Sequence, residues 1–213
     1  MQAFLNTNGS VIVEDLITVI QENRQYLSDI DGAIGDGDHG INMNKGFTLC
    51  AESLKETPGD LTHCLNTLSK ILMTKIGGSM GPLYGFFFQS MAKKTGDNEK
   101  VNGQIFGEML NAAVGSIQTI SDARVGDKTL LDVLVPAAHT FNAYFAQGSD
   151  FLTALHEMKS AAIKGRDSTK EMIAKKGRAS RLGERSRGVL DAGATSCCLI
   201  LCTMADSIKK IIK

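Results

Sequence analysis

Between residues 29 and 44 the chain reads Asp29-Ile-Asp31-Gly-Ala-Ile-Gly35-Asp36-Gly-Asp38-His39-Gly40-Ile-Asn42-Met-Asn44. Its four carboxylates, Asp29, Asp31, Asp36 and Asp38, lie so close in sequence that they repel one another unless a cation compensates them. Hard divalent ions take oxygen ligands, so the loop suits Mg²⁺ or Ca²⁺. The interleaved glycines allow the curvature that would bring several acids around one point. An EF-hand is excluded by register. From Asp29 the fifth and twelfth loop positions are Ala33 and Gly40, and from Asp36 they are Gly40 and Phe47, where acids are required. The competing reading is a solvated acidic turn whose aspartates cap the next helix.

Three further segments carry chemistry. Gly77-Gly78-Ser79-Met80-Gly81-Pro82 is glycine-rich and places Pro82 in a first helical turn. Such a loop presents backbone N–H groups at the positive end of a helix and suits a phosphate, although a tight helix connection would read the same way. It is neither a P-loop nor a dinucleotide fingerprint, since the Gly-Lys-Ser/Thr ending and a preceding strand are both missing. Gly126-Asp127-Lys128-Thr129 reads as a loop with a helix cap. The stretch from Lys175 to Arg187 concentrates Lys175, Lys176, Arg178, Arg181, Arg185 and Arg187. A basic loop can clamp phosphate oxygens, and Arg does so bidentately; a solvated charge run is the plainer reading. Asp191-Ala-Gly193 then opens another helix. Acidic loop, anion loop and basic clamp together supply what phosphoryl transfer needs: metal, positioning and donors to non-bridging oxygens. His63, His139 and His156 fall within helical stretches, so His39 is the histidine of interest.

The elements that must position these segments are helical. Leu61, Cys64, Leu65, Leu68 and Leu72 recur at spacings of three and four behind a cap at Asp60, and Val13, Leu16, Ile17, Ile20 and Leu27 do the same. Helices are expected over about 11–28, 42–55, 61–72, 82–94, 104–120, 129–145, 150–175 and 192–212, with a kink or break at Pro136. Alternating β-branched runs are hard to find. If the helices run antiparallel, alternate loops share one end, and all four polar segments can converge there.

Composition fits this plan. The chain has 213 residues, 43% hydrophobic and 22% charged, which suits one globular domain over 1–213. Lys plus Arg and Asp plus Glu both number 23, so the balance gives no support for a nucleic-acid or membrane-surface partner. Five cysteines without a CxxC pair read as buried free thiols in a reducing compartment. No signal peptide and no apolar run of about 18 residues is found. A cytoplasmic location is expected.

These motifs, in order and spacing over nearly the whole chain, resemble the dihydroxyacetone kinase L subunit family. The resemblance is carried by Asp31-x4-Asp36-x-Asp38-His39-Gly40-x-Asn42, Gly77-Gly78, Gly81-Pro82, Gly126-Asp127-Lys128-Thr129, Lys176-Gly-Arg178-Ala-Ser180 and Gly193-Ala-Thr-Ser196. It implies an all-α barrel or bundle of about eight antiparallel helices with the nucleotide site at one end. Asp31, Asp36 and Asp38 would hold two Mg²⁺ ions against the phosphates of ADP or ATP, with Arg178 as a further catalytic group. The nucleotide would contact His39, Asn42, Gly78, Ser79, Met80, Thr129, Leu130, Arg178, Asp191 and Gly193. The ketose would sit on a separate K subunit, and an M subunit of the phosphotransferase system would be the phosphodonor.

Met80, Ser121, Leu130, Arg181, Arg187 and Ala192 depart from common family choices, while the aspartates are intact. Two other readings therefore stay open. One is an ATP-exchanging kinase subunit for a ketose such as erythrulose. The other is a non-catalytic, nucleotide-sensing protein that binds a regulator.

Overall fold

A computed structural model describes residues 2–212. Nine α-helices are found among them. The first, α1 (Ser10–Glu22), buries Ile12, Val13, Leu16, Ile17 and Ile20, the stripe expected from spacing. It does not run on to residue 28. The Asn23 side chain donates to the Val19 carbonyl at 2.8 Å, and its backbone N–H donates to the same oxygen. This local bond ends the helix, and α2 (Arg24–Ile34) starts afresh. Because α2 reaches Ile34, Asp29 and Asp31 are helical residues rather than loop residues, which corrects the expected boundary.

After it come α3 (His39–Glu56), α4 (Leu61–Lys75), α5 (Met80–Thr95) and α6 (Gly103–Ile120). Asp60 caps α4 by accepting the His63 N–H at 2.8 Å, and Asn102 caps α6 through the Ile105 N–H at 3.0 Å. Helix α7 (Leu131–Ala146) continues through Pro136 with no earlier break. The proline lies in its second turn, where it removes a single bond. Helix α8 (Phe151–Ser168) stops short of the expected residue 175. There the Ser168 and Thr169 hydroxyls take the Gly165 and Arg166 carbonyls, and a short 3₁₀ turn follows. The last helix is α9 (Ala192–Ile211), capped by Asp191. Two short strands were not anticipated: β1 (Ala3–Leu5) pairs antiparallel with β2 (Lys100–Asn102), too short to show alternation.

Helix neighbours define the architecture. Each of α3 to α8 packs on the next, α8 packs on α9, α9 on α1, and α1 on α3. Eight helices thus close into a ring, while α2 bends away at Asn23 and lies across α3. One hydrophobic cluster fills the ring, with Phe47, Tyr84, Phe87 and Phe88 on one side and Phe106, Phe141 and Phe151 on the other. All five cysteines are free, four of them buried. No described helix is long and apolar enough to cross a membrane.

Candidate active site

The even-numbered helices α2, α4 and α6 end, and the odd-numbered helices α3, α5, α7 and α9 begin, at the same end of the ring. The first residues of these four, His39, Met80, Leu131 and Ala192, all line one cavity of about 440 Å³. That volume lies in the usual range for small-molecule sites. Four helix N-termini aimed at one space make it electropositive along the backbone and suited to a polyphosphate.

The acids sit on the same wall. One oxygen each from Asp31, Asp36 and Asp38 falls within 4.8 Å of the others, a spacing one hard cation can bridge. Asp31 comes from the last turn of α2, and its Oδ2 accepts the His39 N–H at 3.2 Å. Asp36 and Asp38 come from the loop that joins α2 to α3. Desolvation, together with the neighbouring Asp36 and Asp31 charges, pushes the Asp38 carboxyl up. A set of acids that raises a member's own proton affinity fits a divalent cation. Asp29 does not join them. Two residues away on the helix, it faces elsewhere and accepts from Gln25 at 2.7 Å.

This wall depends on a close approach at Gly40. A Cβ there would collide with the Arg24 carbonyl and Ser28, so only glycine lets the first turn of α3 lie on α2. Across the cavity, Gly78 adopts φ +71 and leaves open space where a side chain would stand, with Gly77 equally open. Ser79 and Met80 follow at the mouth of α5, and Asn42 lies one turn into α3.

His39 ties three elements together. Its Nε2 meets the Ser196 hydroxyl at 2.9 Å, which meets the Tyr84 hydroxyl at 2.6 Å, and Tyr84 also donates to the Gly193 carbonyl at 3.1 Å. Burial lowers the His39 pKa to about 4, against the opposing pull of Asp38, so the ring is neutral at pH 7. Tyr84 and Ser196 are not among the residues expected at the site: Ser196 closes the Gly193-Ala-Thr-Ser196 motif, but nothing local in the sequence pairs it with a tyrosine 112 positions away.

Thr129 and Leu130 form the third wall. The buried Asp132 carboxylate accepts the Gly126 N–H at 2.5 Å and the Thr129 N–H at 2.7 Å, which shapes that turn. Asp191 caps α9 through the Ala194 N–H at 2.7 Å. Burial raises its pKa to about 7; Asp132 and Asp31 add to this, while the cap and Lys128 oppose it. The basic segment closes the mouth as a loop with 3₁₀ turns. Arg178 pairs with Asp36 at 2.6 Å, Lys176 with Asp122 at 2.7 Å, and Lys175 with Asp127 at 3.4 Å. Arg181 and Arg187 do not line the cavity; Arg187 pairs with Glu184 instead. All thirteen residues expected at the site line this one cavity.

Residues 33–206 match the DAK2 domain. The chain belongs to the DAK2-domain family. It is 39% identical over 186 residues to an ADP-binding subunit of a PEP-dependent dihydroxyacetone kinase from Listeria innocua, covering 87% of this chain and 88% of the relative. The corresponding subunit from Escherichia coli is 34% identical over 193 residues, 90% of this chain and 92% of its own. The DAK2 fold also matches the dihydroxyacetone kinase of C. freundii in complex with AMP-PNP and Mg²⁺, with a TM-score of 0.69 and 24% identity. That match covers 93% of this chain but only 33% of the kinase, so this DAK2 chain spans about a third of that protein.

Proposed function

We propose that this chain is the nucleotide- and Mg²⁺-binding subunit of a dihydroxyacetone kinase, relaying a phosphoryl group through bound ADP and ATP to a ketose held on a separate K subunit. The observation that carries it is the gathering of Asp31, Asp36 and Asp38 within 4.8 Å on the wall of a cavity entered by four helix N-termini. Carboxylates for metal and backbone donors for phosphate are the two halves of a metal–polyphosphate site. The relatives' names point the same way. Two of them are ADP-binding subunits matched over about nine-tenths of their length, which favours a split kinase fed by an M subunit of the phosphotransferase system.

In this reading the whole chain, 1–213, is one nucleotide-binding unit. Mg²⁺, as two ions, neutralises phosphate charge when bound. Asp31, Asp36 and Asp38 hold and orient it. The N–H groups at Gly78, Ser79 and Met80 donate to phosphate oxygens, with Asn42 and the neutral His39 beside them. Thr129, Leu130, Asp191 and Gly193 bound the nucleoside side, where Ile117 and Leu83 supply apolar surface. Arg178 moves from Asp36 to the phosphates and closes the mouth.

The test is to purify the chain in Mg²⁺ buffer without added nucleotide, denature it and quantify what is released by chromatography. Near-stoichiometric ADP is the expected result and marks a captive coenzyme. An empty protein that binds added ATP–Mg²⁺ would mean an exchanging kinase subunit. One that binds neither would overturn the reading.

A further inference from the structure

Among the described residues, Lys128 is the sole non-glycine with positive φ, is 1% exposed, and carries a charge that pairs with no described carboxylate within 4.0 Å. A left-handed backbone and a desolvated ammonium both cost energy, so something must hold them in place. Three carbonyls do. Lys128 Nζ donates to Ser186 at 2.5 Å, Val189 at 2.6 Å and Met172 at 3.3 Å. An ammonium has three donors, and all three are used. Desolvation lowers its pKa, with Asp191 and Glu171 opposing from a distance.

The placement of the three acceptors matters more than their number. Met172 precedes the basic loop; Ser186 and Val189 follow it. One ammonium therefore pinches both ends of residues 173–185 together. The neck is further tied by the Ala174 N–H to the Ser186 hydroxyl at 2.9 Å and by the Gly188 N–H to the Lys170 carbonyl at 2.7 Å. Beyond the neck the loop is held by exposed ion pairs, which are weak. Lys128 also immediately precedes Thr129 and Leu130 on the cavity wall.

The geometry points to Lys128 as a positioning residue: an internal cation that closes the neck of the 173–185 loop and so sets where Arg178 stands over the cavity. It borders the cavity but acts through main-chain carbonyls, which take all three of its ammonium donors. The consequence for nucleotide rests on the kinase reading above; the consequence for the loop does not.

The loop reports on itself, because Lys175, Lys176, Arg178, Arg181, Arg185 and Arg187 are trypsin sites. Limited trypsin digestion of the full chain, with cut sites mapped by mass spectrometry, compares wild type with Lys128→Met. Cleavage within 175–187 should quicken roughly tenfold or more, with cuts elsewhere unchanged, since native cleavage follows local opening. Affinity for ADP with Mg²⁺ should fall in Lys128→Met. Adding Arg178→Ala should then cost less than it does in wild type, because both changes remove the same contact. Equal loop cleavage in the two proteins, or additive losses of affinity, would overturn the proposal. If Lys128→Met loses its helical circular dichroism, Lys128→Gln takes its place with the same two outcomes. If wild type binds no nucleotide, the kinase reading falls and loop cleavage alone decides the role of Lys128.

Discussion

Arg178 and Asp36, from opposite ends of the chain, meet across the mouth of the cavity at 2.6 Å. Arg178 is two-thirds exposed there, so the pair adds little to stability. Its importance is positional: a guanidinium stands beside a carboxylate that shares a cation-sized space with two others. Asp36→Asn or Asp38→Asn should reduce phosphoryl transfer at least about 100-fold, on the order of 3 kcal/mol, through loss of a metal ligand. Circular dichroism should show the helices intact. Arg178→Lys should recover little of the nucleotide affinity lost in Arg178→Ala, since a point charge cannot replace a bidentate fork. Coupled assays with partner subunits and calorimetry with ADP–Mg²⁺ check both.

Stability should depend on pH through two opposing groups. Asp191, raised from 3.8 to about 7, holds a proton in the native state that the unfolded chain releases, so its contribution is full below 3.8 and is lost as pH rises towards 7. His39, lowered from 6.5 to about 4, contributes fully above 6.5 and loses this as pH falls towards 4. In wild type the two slopes partly cancel. Urea melts in EDTA between pH 4 and 7 should show stability rising with pH in Asp191→Asn and falling with pH in His39→Gln. Parallel slopes in the two variants would contradict the assignment.

Gly40→Ala should destabilise the chain by on the order of 3 kcal/mol, because the new methyl meets backbone that cannot move aside. Gly77→Ala meets nothing within 4 Å and should change stability by less than about 0.5 kcal/mol, while testing the anion loop through nucleotide affinity. Thermal melts with and without ADP–Mg²⁺ separate the two.

Thiol chemistry should single out one cysteine. Burial pushes Cys50 up to about 12 and Cys64 to about 11, and raises Cys197 further. Cys202 is half-buried; the Cys198 thiol beside it and the charges of Lys159 and Arg166 lower its pKa. A disulfide reagent should titrate Cys202 first in the native protein and all five thiols after denaturation. Prompt reaction of Cys50 would contradict the packing.

Helical period and cap residues made most of the fold legible. The Asp60, Asp150 and Asp191 caps each accept the N–H three residues on, as side chains at helix starts should. What escaped was decided by single local bonds. Asn23 broke a continuous apolar stripe because its amide competes for a carbonyl, and the Ser168 and Thr169 hydroxyls ended α8 early. The strand pair joins residues about a hundred positions apart with three residues on each side, below what alternation can reveal. At the site, most of the residues expected to line the cavity are charged or flank glycine and stand out in the sequence. Those that support them do not. Tyr84, Ser196 and Lys128 act through partners remote in sequence, and a lysine in a Gly-Asp-Lys-Thr turn looks solvated until the carbonyls around it are seen.

The closed ring also divides labour by end. Every segment that lines the cavity lies at the end where α3, α5, α7 and α9 begin, whereas the connections at 57–60, 96–99 and 147–150 sit at the other, with none of their residues on its walls. Those far turns, mostly exposed, are where insertion, fusion or re-cutting of the chain should be tolerated, because α9 already lies against α1 where the ring meets itself. A barrel of this kind can be attached to quite different neighbours through its blind end and keep the same open end.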